Sequence, residues 1–196
     1  MNVVSDNLDL QGNIMANFPL YTLESAPEQS KPALKGLAEI FGMVPNMPAQ
    51  MAGSPRLISA LVAVFNQAHG GNFNEEQMQV LLLTNAVTNS SAWPVAFHSY
   101  LGIKEGLSEA DVQAIRERRY PKDPKHAALS RLARTLIEKR GRIDDHDVAA
   151  FTEAGFDQAR VLDVVLVVAA STMTNYTASV TQSPLEEIFQ PYAWNA

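Results

Sequence analysis

The stretch VLDVVLVVAASTMTNYTASV, residues 161–180, decides the fold class. Val161-Leu162 and the run from Val164 to Val168 are rich in β-branched side chains, which would suit a buried strand. A strand must pair its backbone groups with a neighbour, and no other segment of the chain reads as one. The apolar spacing instead continues through Met173, Tyr176 and Val180 at helical intervals. The segment from about Asp157 to Val180 is therefore expected to be a central helix, buried and apolar on most sides. The chain then reads as all-α.

The rest of the sequence agrees with that reading. Residues 1–26 are Asn-rich, contain Pro19 and show no helical period, so they are expected to form an extended arm. Residues 27–196 are expected to form a single all-α domain of about eight helices. Pro27-Glu28 opens the first, with Leu34, Leu37, Ile40 and Phe41 as its apolar face, and Gly42 closes it. Met43 to Pro48 reads as a rigid loop bracketed by prolines. Ser54-Pro55 starts a helix that Gly70-Gly71 ends, and Asn74 with Gln77 forms a capping-box pattern for the next. Ser90 or Ser91 caps a helix carrying Trp93, Phe97 and Tyr100, which Gly102 or Gly106 stops. Further helices are read from Ser108 to about Arg119, from Pro124 to Arg140, and from Asp144 or Asp145 to Ala154. A last short turn begins at Ser183-Pro184-Leu185.

Composition bounds the chemistry. With 196 residues, 46% of them hydrophobic, the chain can bury a sizeable core. Fifteen basic against 21 acidic residues give a net charge of −6, so no nucleic-acid partner is expected. The cysteine count is zero, which excludes disulfides, Cys-ligated metals and every thiol-based catalytic cycle. Met1 to Asp9 lacks the basic residues of a secretory signal, and the longest uninterrupted apolar run, Val164 to Ala170, is far short of the ~20 residues of a membrane span. A soluble, cytoplasmic protein with no membrane partner is expected. No cofactor is expected either, since there is no phosphate loop, dinucleotide fingerprint or Gly-x-Ser-x-Gly elbow. The four histidines, His69, His98, His126 and His146, include no pair at i, i+3 or i+4, so no metal site is expected. Asp144, Asp145 and Asp147 around His146 imitate a metal cluster but read as an acidic helix start, and Arg116, Arg118, Arg119, Lys122 and Lys125 read as a solvated basic face, with a phosphate-bearing ligand as the sharper alternative.

Four segments in order carry a resemblance. They are Phe41-Gly42-Met43-Val44-Pro45-Asn46 with Ser54-Pro55, the helix over 75–88, Asn89-Ser90-Ser91-Ala92-Trp93-Pro94-Val95-Ala96-Phe97-His98, and Tyr176 through Leu185. Over about residues 20 to 190 the sequence resembles the alkylhydroperoxidase D-like, or carboxymuconolactone decarboxylase, superfamily, in its peroxidase-related subgroup. The resemblance implies an oligomeric helical bundle, assembling as a dimer, trimer or hexamer. It also implies an active centre of a glutamate, a Cys-x-x-Cys pair beginning after eleven further residues, and a histidine four past the second cysteine. Laid through His98, that pattern puts the cysteines at Ser91 and Pro94 and the glutamate at Gln79. Of the four, the histidine alone is kept.

That substitution removes the redox chemistry. A helix N-terminus can bring a cysteine pKa down to roughly 3.5–7.5, whereas a serine hydroxyl needs a base within hydrogen-bond reach. On a straight helix Ser91 and His98 stand about 10 Å apart along the axis, so they share a face without touching. Pro94 fits a first helical turn, where its missing N–H is no loss, and Ser91 fits an N-cap. Gln79 can orient an imidazole but cannot take a proton. Asn85, Thr88, Asn89 and Ser91 gather at the helix junction as caps and turn formers, with ligand donation as the sharper alternative.

Two functions stay open at this point. One is an enzyme acting on a small organic acid or lactone by proton transfer, with His98 as acid and base. The other is a non-catalytic small-molecule-binding or oligomeric interaction protein on the same scaffold. A cavity reaching His98, Gln79 and Ser91 would favour an enzyme or a binder over an inert bundle.

Overall fold

A computed structural model of the chain describes residues 18–195, so residues 1–17 of the expected arm lie outside the described part. The remainder of the arm is irregular and lies over the first helices, with the Tyr21 N–H on the Ala49 carbonyl and Ala26 buried. The described residues form nine α-helices and two short 3-10 turns, with no strand.

The helices follow the local signals closely. A 3-10 turn at Glu28–Ser30 leads into α1, Lys31–Phe41, which ends at Gly42 in the left-handed region with φ 74°. Helix α2, Asn46–Met51, occupies what the prolines of residues 43–48 suggest is a loop. Pro48 sits in its first turn, where the backbone N–H would go unpaired anyway, so it does not break the helix. Helix α3, Pro55–His69, is capped by the Ser54 hydroxyl accepting from the Leu57 N–H. Helix α4, Glu75–Thr88, opens with the Asn74–Gln77 capping box, both hydrogen bonds of which are made. Helix α5 runs Ala92–Lys104, so Gly102 is inside it and does not stop it. Helices α6, Glu109–Arg116, and α7, Pro124–Glu138, are capped by Ser108 and Asp123. Helix α8, Asp145–Glu153, has a capping box between Asp144 and Asp147, and α9 spans Ala159–Thr181. The final turn is a 3-10 segment at Glu187–Tyr192, displaced from the Ser183 start.

The central helix is α4, and this corrects the expectation for residues 161–180. Every residue from Met78 to Val87 is buried, and α4 packs against α5, α6, α7 and α9. Helix α9 buries Val161, Val164, Val167, Ala170 and Ala178 but exposes Leu162, Val165, Tyr176 and Val180. Its apolar composition therefore serves one face only. By length and composition α9 is also apolar enough to cross a membrane, because Ser and Thr extend the apolar run without adding charge; close to half of it is buried in the fold. In α1, Leu34 is buried while Ile40 is 68% exposed, so the end of its apolar face is not closed into the core.

Two buried clusters organise the interior. One joins α4, α6, α7, α8 and the first half of α9. The other joins α1, α2, α3, α5 and Phe189, and Phe65 packs against both.

Candidate functional site

On the side of the second cluster, helices α1 to α5 line a cavity of about 620 Å³, to which Thr174 of α9 also contributes. That volume lies within the range of ordinary small-molecule sites. Its walls are largely aromatic and aliphatic: Phe41, Phe65, Trp93 and Phe97 stand with Leu61, Leu82 and Leu101. Trp93 stacks on Phe97 with centroids 4.9 Å apart, and Phe41 meets Phe97 edge-on at 5.3 Å. The exposed polar groups, Glu39, Glu75, Glu105, Lys104 and His69, sit at the mouth. Nδ1 of His69 lies 3.2 Å from a carboxylate oxygen of Glu75, and its ring stacks on Phe65.

Gln79, Pro94 and His98 all line this cavity. His98 is 5% exposed, and its Nδ1 lies 3.0 Å from the amide oxygen Oε1 of the buried Gln79. An amide oxygen only accepts, so Nδ1 carries the proton and Nε2 carries the lone pair. Nε2 makes no hydrogen bond among the described residues. Burial, with a smaller push from the His69 ring, brings the imidazole down to about 3. His98 is thus a neutral acceptor in the wall of an apolar chamber.

The geometry that holds it depends on close helix packing. Gly102, one turn beyond His98, has its missing Cβ position 3.8 Å from Cβ of Gln79 and 3.1 Å from Cδ1 of Leu107. A Cβ there would touch Gln79 at ordinary contact distance and require the end of the Leu107 side chain to give by a few tenths of an ångström.

Ser91 takes no part in the cavity. It occupies the N-cap position of α5, yet its hydroxyl makes no cap; it donates to the Asn175 carbonyl at 2.9 Å and accepts from the Ser179 hydroxyl at 3.5 Å. The partner helix α9 claims it. The neighbouring polar set is likewise consumed locally: Thr88 donates to the Thr84 carbonyl and Asn89 to the Asn85 carbonyl, while the buried Asn85 amide has no partner among the described residues. None of these lines the cavity.

The other charged constellations resolve as structure. Arg116 donates to Ser99 and to the Tyr192 and Ala193 carbonyls, Arg118 to Ser90, and Arg119 pairs with Glu117. Asp147 pairs with Lys139 at 2.6 Å as it caps α8. Among the described residues no group of three or more metal-ligating side chains could hold an ion. The aromatic wall gives no signal of its own in the sequence, where Trp93, Phe97 and Tyr100 are spaced like core or oligomer contacts. All three pack on Phe189, and Trp93 and Phe97 also form cavity wall.

No family model and no curated protein matches the chain. Among solved structures it is similar to a peroxidase-related protein from Ralstonia eutropha JMP134 with an alkylhydroperoxidase AhpD core, at 16% identity over 89% of this chain and 94% of that one, TM-score 0.79. It is similar also to a peroxidase-related protein from Silicibacter sp. TM1040, at 17% identity over 89% and 92%, TM-score 0.74. A third is the debrominase Bmp8, at 14% identity over 84% and 90%, TM-score 0.70. At these identities the likeness is one of fold, and the chain has the alkylhydroperoxidase-like fold.

Proposed function

We propose that this chain, an alkylhydroperoxidase-like fold without a thiol, binds a small, neutral, largely apolar aromatic molecule in the cavity, anchored by one hydrogen bond to Nε2 of His98. The observation that carries this reading is a buried, uncharged imidazole, oriented by Gln79, in the wall of an aromatic-lined chamber. The lining offers ring faces for stacking and one fixed acceptor for orientation. The mouth carries Glu39, Glu75 and Glu105 against Lys104, with His69 beside Glu75, which favours neutral ligands over anions. A cysteine-to-alanine variant of the debrominase Bmp8, a protein of the same fold, forms a complex with 2,3,4-tribromopyrrole, a small aromatic ring, so complex formation on such a scaffold does not require every thiol.

The second reading is proton transfer on a small organic acid or lactone by His98, and the Gln79 hydrogen bond that orients the ring favours it. Burial opposes it. A ring held near 3 is unprotonated at neutral pH and cannot act as an acid. Binding is therefore the better supported function. A thiol cycle is excluded by the absence of cysteine.

Titration calorimetry at pH 7 with 2-naphthol, a flat ring with one O–H donor, and with 2-naphthoate tests this. Wild type is expected to bind 2-naphthol more tightly than 2-naphthoate, and His98→Leu to weaken 2-naphthol about 3- to 10-fold, the value of one neutral hydrogen bond. Preference for 2-naphthoate, strengthening as pH falls, would favour the organic-acid reading. Absence of any His98 dependence would remove the site.

A further inference from the structure

Glu186 precedes the C-terminal 3-10 turn, 88 residues beyond His98 in sequence and outside the cavity lining. Its two carboxylate oxygens go to two different walls of the cavity. Oε1 accepts the backbone N–H of Asn46 at 2.5 Å, and Oε2 accepts the indole Nε1–H of Trp93 at 2.8 Å. Asn46 begins α2, whose Met47 and Pro48 line the cavity together with the preceding Pro45, and Trp93 is the cavity's largest ring. The same segment grips both walls again. The Asn46 side chain donates to the Pro184 carbonyl at 3.0 Å, and Phe189 stands edge-on to Trp93 and Phe97 at 6.2 and 5.2 Å.

We propose that Glu186 is a positioning residue for the ligand cavity: by holding the start of α2 and the Trp93 indole on one carboxylate, it fixes the ring plane and the width of the chamber, and so selects flat ligands. A buried indole N–H needs a partner, and no other group among the described residues accepts from Trp93. Each of the two donors has its own carboxylate oxygen. A glutamine offers a single amide oxygen, so Glu186→Gln can serve one wall well and not both. The effect on Trp93 follows from the geometry alone; the effect on flat ligands rests on the binding function proposed above.

The chain has two tryptophans, so Trp194→Phe leaves Trp93 as the sole indole reporter. In that background Glu186→Ala is expected to shift Trp93 emission to the red and raise its quenching by acrylamide, with Glu186→Gln intermediate; far-UV circular dichroism checks the fold of each. Calorimetry with 2-naphthol and its saturated, non-planar counterpart decahydro-2-naphthol supplies the second arm. Glu186→Ala is expected to weaken 2-naphthol about 3- to 10-fold while leaving decahydro-2-naphthol within twofold. Unchanged Trp93 emission in both variants, or equal losses for the flat and the saturated ligand, would overturn the proposal. A shifted Trp93 signal with no naphthol binding by any form would uphold the positioning role and discard the ligand instead.

Discussion

His98 is where the chemistry of this chain concentrates. Its ring is buried, neutral and held by Gln79, with its pKa brought from 6.5 to about 3 by desolvation and the nearby His69. A lowered native pKa has a definite consequence for stability. Above pH 6.5 folded and unfolded chains both carry a neutral ring. Between about 6.5 and 3 the unfolded chain takes up the proton and the folded one does not, so stability falls as pH falls, by up to about 1.4 kcal/mol per unit. Urea denaturation of wild type and His98→Asn from pH 7 to 4 is expected to show a steeper loss in the wild type; parallel curves would mean the ring titrates normally in the fold. The pairing of position 98 with position 79 was legible from the sequence, because the resemblance supplied the spacing. The fate of Ser91 was not, because its hydroxyl answers to a carbonyl on a helix 84 residues away. Glu186 gave no signal at all: its role exists only once Asn46 and Trp93 have been folded against it.

At the scale of elements, local signals placed starts better than burial. Ser54, Asn74, Ser108, Asp123 and Asp144 each cap a helix through their own side chain, a contact made within three residues and hence readable in one dimension. Which helix becomes central depends on partners distant in sequence. The valine-rich α9 looks more buried than α4, yet α4 is covered all round while α9 turns Leu162, Val165, Tyr176 and Val180 outward. Pro48 misleads in the same way, since a proline reads as a loop unless the helix start is known to fall just before it. The α5–α6 joint offers a test. Gly106 has φ 110°, and a Cβ there would stand 2.5 Å from Oε1 of Glu76. Gly106→Ala is expected to cost about 1–3 kcal/mol through backbone strain; a denaturation midpoint equal to wild type would show that the joint relaxes freely.

For the whole molecule, scaffold and chemistry come apart. The chain has the alkylhydroperoxidase-like fold, and its His98 lines a cavity, but it has no cysteine with which to reduce a peroxide. Purified, metal-free protein is accordingly expected to show no thiol-supported turnover of hydroperoxides above a buffer blank. What the fold retains is a shaped chamber between α1 and α5, aromatic on its walls, acidic at its mouth and fitted with one uncharged acceptor. Nitrogen-15 NMR of the His98 ring, recorded with and without 2-naphthol between pH 7 and 4, interrogates that acceptor directly. A protonated Nδ1, a bare Nε2 that responds to the ligand, and no titration above pH 4 are the predicted result. A ring that titrates near 6.5, or carries its proton on Nε2 and ignores the ligand, would contradict it.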